Sequence, residues 1–227
     1  MKDLVDIFLQ PGPVLTRQYE RPNGWLPVLL IAAVGAFFTY RYFSTVDMGW
    51  FFRESAELGG RELSKAEVDA MDRQAEGSAT MWVSTLFSVV VSIALPLLWA
   101  VYFLLAGKFT GLAVSFRQGL GLAGWASMPG IIGSLLALYG TVGMSPQTYV
   151  TDLMLTSLDP MLVQLPPESP WKSFATAFNF LNLWSIGLAA LGWKLWSKDA
   201  GWTRPLVVAA LPFALLHGYQ IISALIA

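Results

Sequence analysis

The sequence has no cysteine and a single histidine, His217, in 227 residues. Without thiols it has no disulfide, no thiol catalysis, no iron–sulfur ligation and no thiolate zinc site. One imidazole with no Asp or Glu grouped around it argues against a metal centre. Charge is scarce as well. Only 13% of residues are ionisable Asp, Glu, Lys or Arg, and a net charge of -1 excludes a generally basic nucleic-acid binder. There is no phosphate-cradling glycine loop ending in Lys-Ser/Thr, no nucleophile elbow and no His-Glu-x-x-His. No carboxylate lies inside an apolar stretch, so a proton relay of buried acids has no candidate residue. A serine hydrolase within the membrane would have His217 but no serine in a distinctive motif. The expectation is a protein that is not an enzyme and uses no cofactor.

What the sequence has instead is apolar length. Hydrophobic residues make up 55%, with 10 Trp and a mean hydropathy of +0.55. Five stretches, at about 25–43, 81–106, 119–143, 173–196 and 205–227, meet or approach the roughly 20 residues a helix needs to cross about 30 Å of hydrocarbon. They lack the alternation of barrel strands, and lipid offers backbone groups no water, so the spans should be helical. The predicted fold is all-α, a single polytopic domain over residues 1–227 with a five-helix transmembrane bundle and short interfacial helices. The first span is not a secretory signal, because a polar or amphipathic segment precedes it and no small-residue cleavage pattern follows.

Five spans place the termini on opposite faces. One face gathers residues 1–24, 107–118 and 197–204 with the adjoining helix end, carrying Lys2, Arg17, Arg21, Lys108, Arg117, Lys194, Lys198 and Arg204 against four acids, Asp199 among them. The other holds Arg41 and loops 44–80 and 144–172, with six bases in all, Arg61 among them, against eleven acids. Basic residues in short loops stay in the cytoplasm, which puts the N-terminus inside and the C-terminus outside. Trp25, Tyr40, Tyr42, Trp82, Trp171, Trp193, Trp196 and Trp202 fall near span ends, as headgroup-level anchors would.

Outside the spans, Leu4, Val5, Phe8 and Leu9 predict a surface helix over 2–9 that Pro11-Gly12-Pro13 stops. Ser64 and Glu67 form a capping box, with Leu63 and Val68 at staple positions, and predict a helix from Lys65. Ser145 with Pro146 predicts another helix, along whose face Tyr149, Val150, Leu153, Met154 and Leu158 repeat.

Pro96, Pro129 and Pro212 interrupt three spans and should kink them, since each removes one helical hydrogen bond. Broken helices at membrane depth can build a cavity, or can simply pack. Gly119, Gly121, Gly124, Ala126, Gly130, Gly133 and Ser134 place the third span centrally, close to its neighbours or to a second copy. Asn179, Asn182 and His217 are geometrically able to form one polar cluster that contacts a ligand or lipid. The alternative is interhelical bonding that holds the bundle, at about 0.6–2 kcal/mol each.

Several local patterns come together. Arg21-Pro22, Ser115-Phe116-Arg117-Gln118 before a central Ser127-Met128-Pro129, and Phe180-Leu181-Asn182-Leu183-Trp184 followed by Gly187-Leu188 and Leu191-Gly192 resemble the bacterial branch of the Yip (Ypt/Rab-interacting protein) domain family, over about residues 5–226. The resemblance implies a five-helix protein of the bacterial inner membrane with a cytoplasmic N-terminus. Eukaryotic relatives act with small GTPases in vesicle traffic. This sequence lacks their long cytosolic N-terminal region and their Asp-Leu-Tyr-Gly-Pro type motif, so GTPase binding is not expected. The expected role is to organise or scaffold membrane components. Partners would be membrane lipids, a second copy or other membrane proteins. The competing expectation is a small-molecule or lipid transporter.

Overall fold

In a computed structural model, which describes residues 2–58, 63–75, 77–198 and 200–226, every regular element is helical, as expected. Arg61, Glu62, Glu76 and Asp199, which entered the charge count, lie outside the described residues. The surface helix is present as α1 (Lys2–Leu9), but Pro11-Gly12-Pro13 does more than stop it. Pro11 opens α2 (Pro11–Glu20), because a first helical position needs no intrahelical donor and suits the fixed proline φ.

The first two apolar stretches are α3 (Trp25–Phe43) and α6 (Ala79–Thr110), the latter longer than the sequence suggested. The third divides into α7 (Phe116–Ala126) and α8 (Gly130–Gly140), bent by 46°. Pro129 has no N–H for the Trp125 carbonyl, which accepts from the Met128 amide at 3.3 Å instead. The carbonyls of Ser127, Met128 and Pro129 then each accept a bond from three residues ahead at 3.0 Å, so a tightened turn carries the bend. Pro96 and Pro212 do not interrupt their helices: α6 and α11 (Thr203–Ile226) run through them. The fourth stretch breaks where sequence showed no signal, with α9 (Lys172–Ala177) and α10 (Phe180–Ser197) separated by extended Phe178 and Asn179. Three helices, α3, α6 and α11, are long and apolar enough to cross a membrane, and the bent α7–α8 pair makes a fourth if it is one span. α10 is not among them.

As predicted, α7 is central, with every residue from Gly119 to Ala126 buried. Glycine is required there for close approach. A Cβ on Gly119 would stand 2.6 Å from the Ala100 carbonyl oxygen of α6. Ser115 and Gln118 cap α7 reciprocally, and Gln118 Nε2 also donates to the Tyr19 carbonyl at 2.7 Å. Trp125 Nε1 donates to Asn23 O at 3.0 Å and Trp196 Nε1 to Leu15 O at 2.9 Å. These bonds seat α2 against α7 and α10 at the end of the bundle bearing the N-terminus. Tyr42, Trp193 and Trp196 are accordingly buried packing residues rather than interfacial anchors, whereas Trp25, Trp82, Trp171 and Trp202 remain exposed.

At the opposite end the capping box holds, with Ser64 N donating to Glu67 Oε2 at 2.9 Å and α5 (Lys65–Ala75) following. It does not run on into the second span. Its partner is α4 (Met48–Leu58), joined by an Arg53–Asp72 ion pair. The helix predicted from Pro146 does not form; a short 3-10 turn, Val150–Leu153, takes its place. Tertiary partners claim the carbonyls it would have used: Pro146 O accepts from Asp47 N at 2.8 Å and Thr148 O from the Tyr42 hydroxyl at 2.9 Å.

Candidate functional site

The side chains of the three polar residues expected to cluster are not joined by hydrogen bonds; only the backbones of two of them meet, Asn182 N donating to Asn179 O at 2.9 Å. Asn179 caps α10, its Oδ1 accepting from Leu181 N at 2.9 Å and its Nδ2 donating to Thr156 Oγ1 at 2.8 Å. Because residue 179 is extended, its three-residue spacing from Asn182 does not align the two on one helical face. Asn182 is half-buried in the first turn of α10. His217 Nδ1 lies 2.9 Å from Gln220 Oε1 on its own helix, with the rings of Phe174 and Phe178 at 5.8 and 5.5 Å. Among the described residues no serine hydroxyl bonds to it. Beside the prolines, the inner space at Trp99, Phe103, Ala126, Ser127 and Phe213 is about 40 Å³, room for a few waters at most, and an apolar hollow of about 220 Å³ at Leu95, Leu98, Trp99, Tyr102 and Pro212 opens outward between α6 and α11.

Open space lies at both ends: a shallow hollow of about 610 Å³ beside Lys108, Val114, Ser115 and Gln118 at the end bearing the N-terminus, and two adjoining spaces at the opposite end. A cleft of about 560 Å³, within the usual range for ligand sites, is lined by Tyr149, Asp152, Pro167, Lys172, Thr176 and Gln220 among others. A second hollow of about 390 Å³ adjoins it across Tyr149, Asp152, Pro167 and Lys172. The prolines that follow Leu158 build these walls by turning the chain back. Asp159-Pro160 opens a single wide turn over Asp159–Val163, which Gln164 closes in the left-handed region at φ 48°. The buried Asp159 carboxylate then accepts from Leu165 N at 2.9 Å and from Lys172 Nζ at 2.5 Å. Lys172 Nζ also donates to Leu165 O at 3.0 Å. A carboxylate this enclosed needs such partners, since an unpaired buried charge is costly.

Tyr149 donates to Glu54 on α4, and its ring lies 5.1 Å from that of Trp50, so the α4–α5 pair docks on this wall. Burial, then the Glu54 bond, then the charges of Glu54, Asp152 and Glu168 push the Tyr149 hydroxyl up to about 12. Asp152 is exposed overall, yet loss of water around its carboxyl raises its pKa; Lys172 opposes that shift, Asp159 adds to it and the Tyr149 backbone opposes it. None of the three expected site residues lines the cleft, and His217 reaches it only through Gln220. In sequence, Asp152, Asp159 and Lys172 are merely loop charges. Their only signal is position, on either side of a stretch rich in proline.

The sequence matches the Yip1 domain over residues 5–225. The chain belongs to the Yip1 domain family. Among curated proteins it is similar to "Membrane protein YknW" of Bacillus subtilis (strain 168), 25% identical over 232 residues that cover 98% of this chain and 90% of that protein. No solved structure matches significantly. Membership accords with the apolar helices and identifies a membrane protein; the relative's name carries no activity.

Proposed function

We propose that this Yip1-family chain is a non-enzymatic, five-span protein of the bacterial inner membrane that organises or scaffolds membrane components by helix packing. In this reading α9 and α10 together form the fourth span and α11 the fifth, the N-terminus is cytoplasmic and the C-terminus outside. The filled bundle centre carries it. Trp125, Trp193, Phe103, Leu122 and Met128 are almost wholly buried around α7, the inner space there is about 40 Å³, and the hollow of about 220 Å³ beside Pro212 opens outward past the exposed Leu95 and Leu98. A centre filled in this way favours packing over transport. What faces outward is apolar: along α11, Leu211, Leu215, Tyr219 and Ile222 form one exposed stripe available to lipid, a second copy or another membrane protein. Photo-crosslinkers at Leu215 and Tyr219 in cells, together with mass measurement in lipid discs, test the reading. Capture of a second copy or of a reproducible membrane-protein partner is expected. A strictly monomeric protein that captures no protein would sink it.

A further inference from the structure

The cleft at the end opposite the N-terminus is not absorbed by a packing role, and its charges are unequally matched. Lys172 is the cation that lines it, and that ammonium is already held by Asp159 and the Leu165 carbonyl. Glu54, behind Tyr149, accepts the hydrogen bond of the phenolic hydroxyl. Asp152 makes no ion pair and accepts from no side chain among the described residues; only the more distant Lys172 charge and the Tyr149 backbone favour its carboxylate. The cleft therefore presents one uncommitted negative charge beside an apolar wall that includes Pro167, Pro170 and Ala177. A metal ion would need more ligands, and among the described residues no group of three His, Cys, Asp or Glu could hold one. An organic cation needs only one carboxylate and a wall for its methylenes.

A second polar group in the same wall lacks a partner. The Thr176 hydroxyl is cut off from solvent and makes no hydrogen bond among the described residues, which is uncommon for a buried polar atom. Turned by rotation about χ1 into the cleft that Thr176 lines, it would be a donor for a phosphate oxygen. The cleft also reaches the lipid-facing side of the bundle. Gln220 of α11 lines it, while the adjacent Tyr219 and Leu216 are 72% and 53% exposed on that apolar helix.

The geometry points to a binding site for an organic ammonium group in the cleft between the 149–170 segment, α9 and α11, with Asp152 as its counter-ion and an aminophospholipid headgroup as its source. Both unmatched polar groups then acquire partners, the ammonium at Asp152 and the phosphate at Thr176. The inference is independent of the scaffold reading, because a monomer can hold a lipid and an oligomer can lack one.

Native mass spectrometry of the full-length protein, released from micelles doped equally with phosphatidylethanolamine and phosphatidylglycerol, tests it. Phosphatidylethanolamine should be retained about tenfold over phosphatidylglycerol, a ratio that corresponds to one decade in Kd. Asp152→Asn, which keeps the side-chain shape, should abolish the preference, whereas Lys108→Gln at the other end of α6 should keep it. Thr176→Val should weaken retention of the lipid but leave protection of the cleft by free ethanolamine in hydrogen exchange unchanged. Protection by free ethanolamine without lipid selectivity would support the ammonium site and assign it a soluble source. Equal retention of phosphatidylglycerol without ethanolamine protection, or an Asp152→Asn protein that binds like the parent, would overturn the proposal.

Discussion

The Tyr102 hydroxyl of α6 donates at 2.7 Å to the Val208 carbonyl of α11, which is the carbonyl that Pro212 leaves without a helical donor. The two helices are thereby joined at the point where the proline weakens one of them. Tyr102→Phe should orphan that oxygen in an apolar setting and lower stability by about 1–3 kcal/mol. Pro212→Ala restores the intrahelical bond, so Tyr102→Phe in that background should cost much less. Equal losses in both backgrounds, measured by unfolding in detergent, would refute the coupling.

Gly119→Ala puts a methyl 2.6 Å from the Ala100 carbonyl oxygen, and backbone on both sides leaves little to yield. The α6–α7 contact should open at a cost of about 1–3 kcal/mol. Gly130→Ala, with nothing within 4 Å of its added carbon, is the control and should be near neutral. A thermal midpoint unchanged in the first variant would contradict the packing.

Tyr149→Phe removes the donor to Glu54 while keeping the ring against Trp50. Amide exchange in residues 48–58 should accelerate, by about the factor of ten that a 1.4 kcal/mol loss implies. Exchange in α7 should not change. Unaltered protection of residues 48–58 would show that the aromatic contact alone holds α4.

Folding raises the Asp152 pKa above 3.8, so the folded protein holds that proton more tightly than the unfolded chain. The associated stability is fully present below 3.8 and is lost as pH rises through the raised value. Asp152→Asn should therefore be slightly more stable than the parent at neutral pH, by less than about 1 kcal/mol for so exposed a group. The difference should vanish near about pH 3, and a less stable variant at neutral pH would contradict the sign.

The absence of native cysteine makes orientation directly measurable. Single cysteines at Ser64 and Ser145 should react with a membrane-impermeant maleimide in intact cells, and one at Ser115 only after lysis. Labelling of Ser115→Cys from outside would reverse the topology.

Sequence periodicity and hydropathy locate α3, α6 and α11 because a span is a long uniform signal, and the Ser64 cap because its bonds are local. Pro129 marks the bend for the same reason. The equally local Ser115–Gln118 cap is present in the sequence but not among the caps expected from it. The site was hidden for physical causes that differ by residue. Asn179 was assigned a helical phase, but it leaves the helix to cap α10 and bind Thr156, which a straight span over 173–196 cannot represent. The Pro146 helix lost its carbonyls to Asp47 and Tyr42, about a hundred residues away in sequence, and no local propensity reports such a claim. Asp159 and Lys172 become a pair only once the proline-rich stretch doubles back.

The bond from Trp196 to Leu15 spans 181 positions of the chain. A nascent chain grows from its N-terminus, so α1 and α2 leave the ribosome long before the surface that receives them exists. Until α10 arrives, Ile7, Val14 and Leu15, wholly buried in the finished protein, must shelter elsewhere. For an amphipathic segment the headgroup layer is the nearest shelter. Completion of the C-terminal half would then draw these helices off the bilayer surface, making their docking a late step of biogenesis.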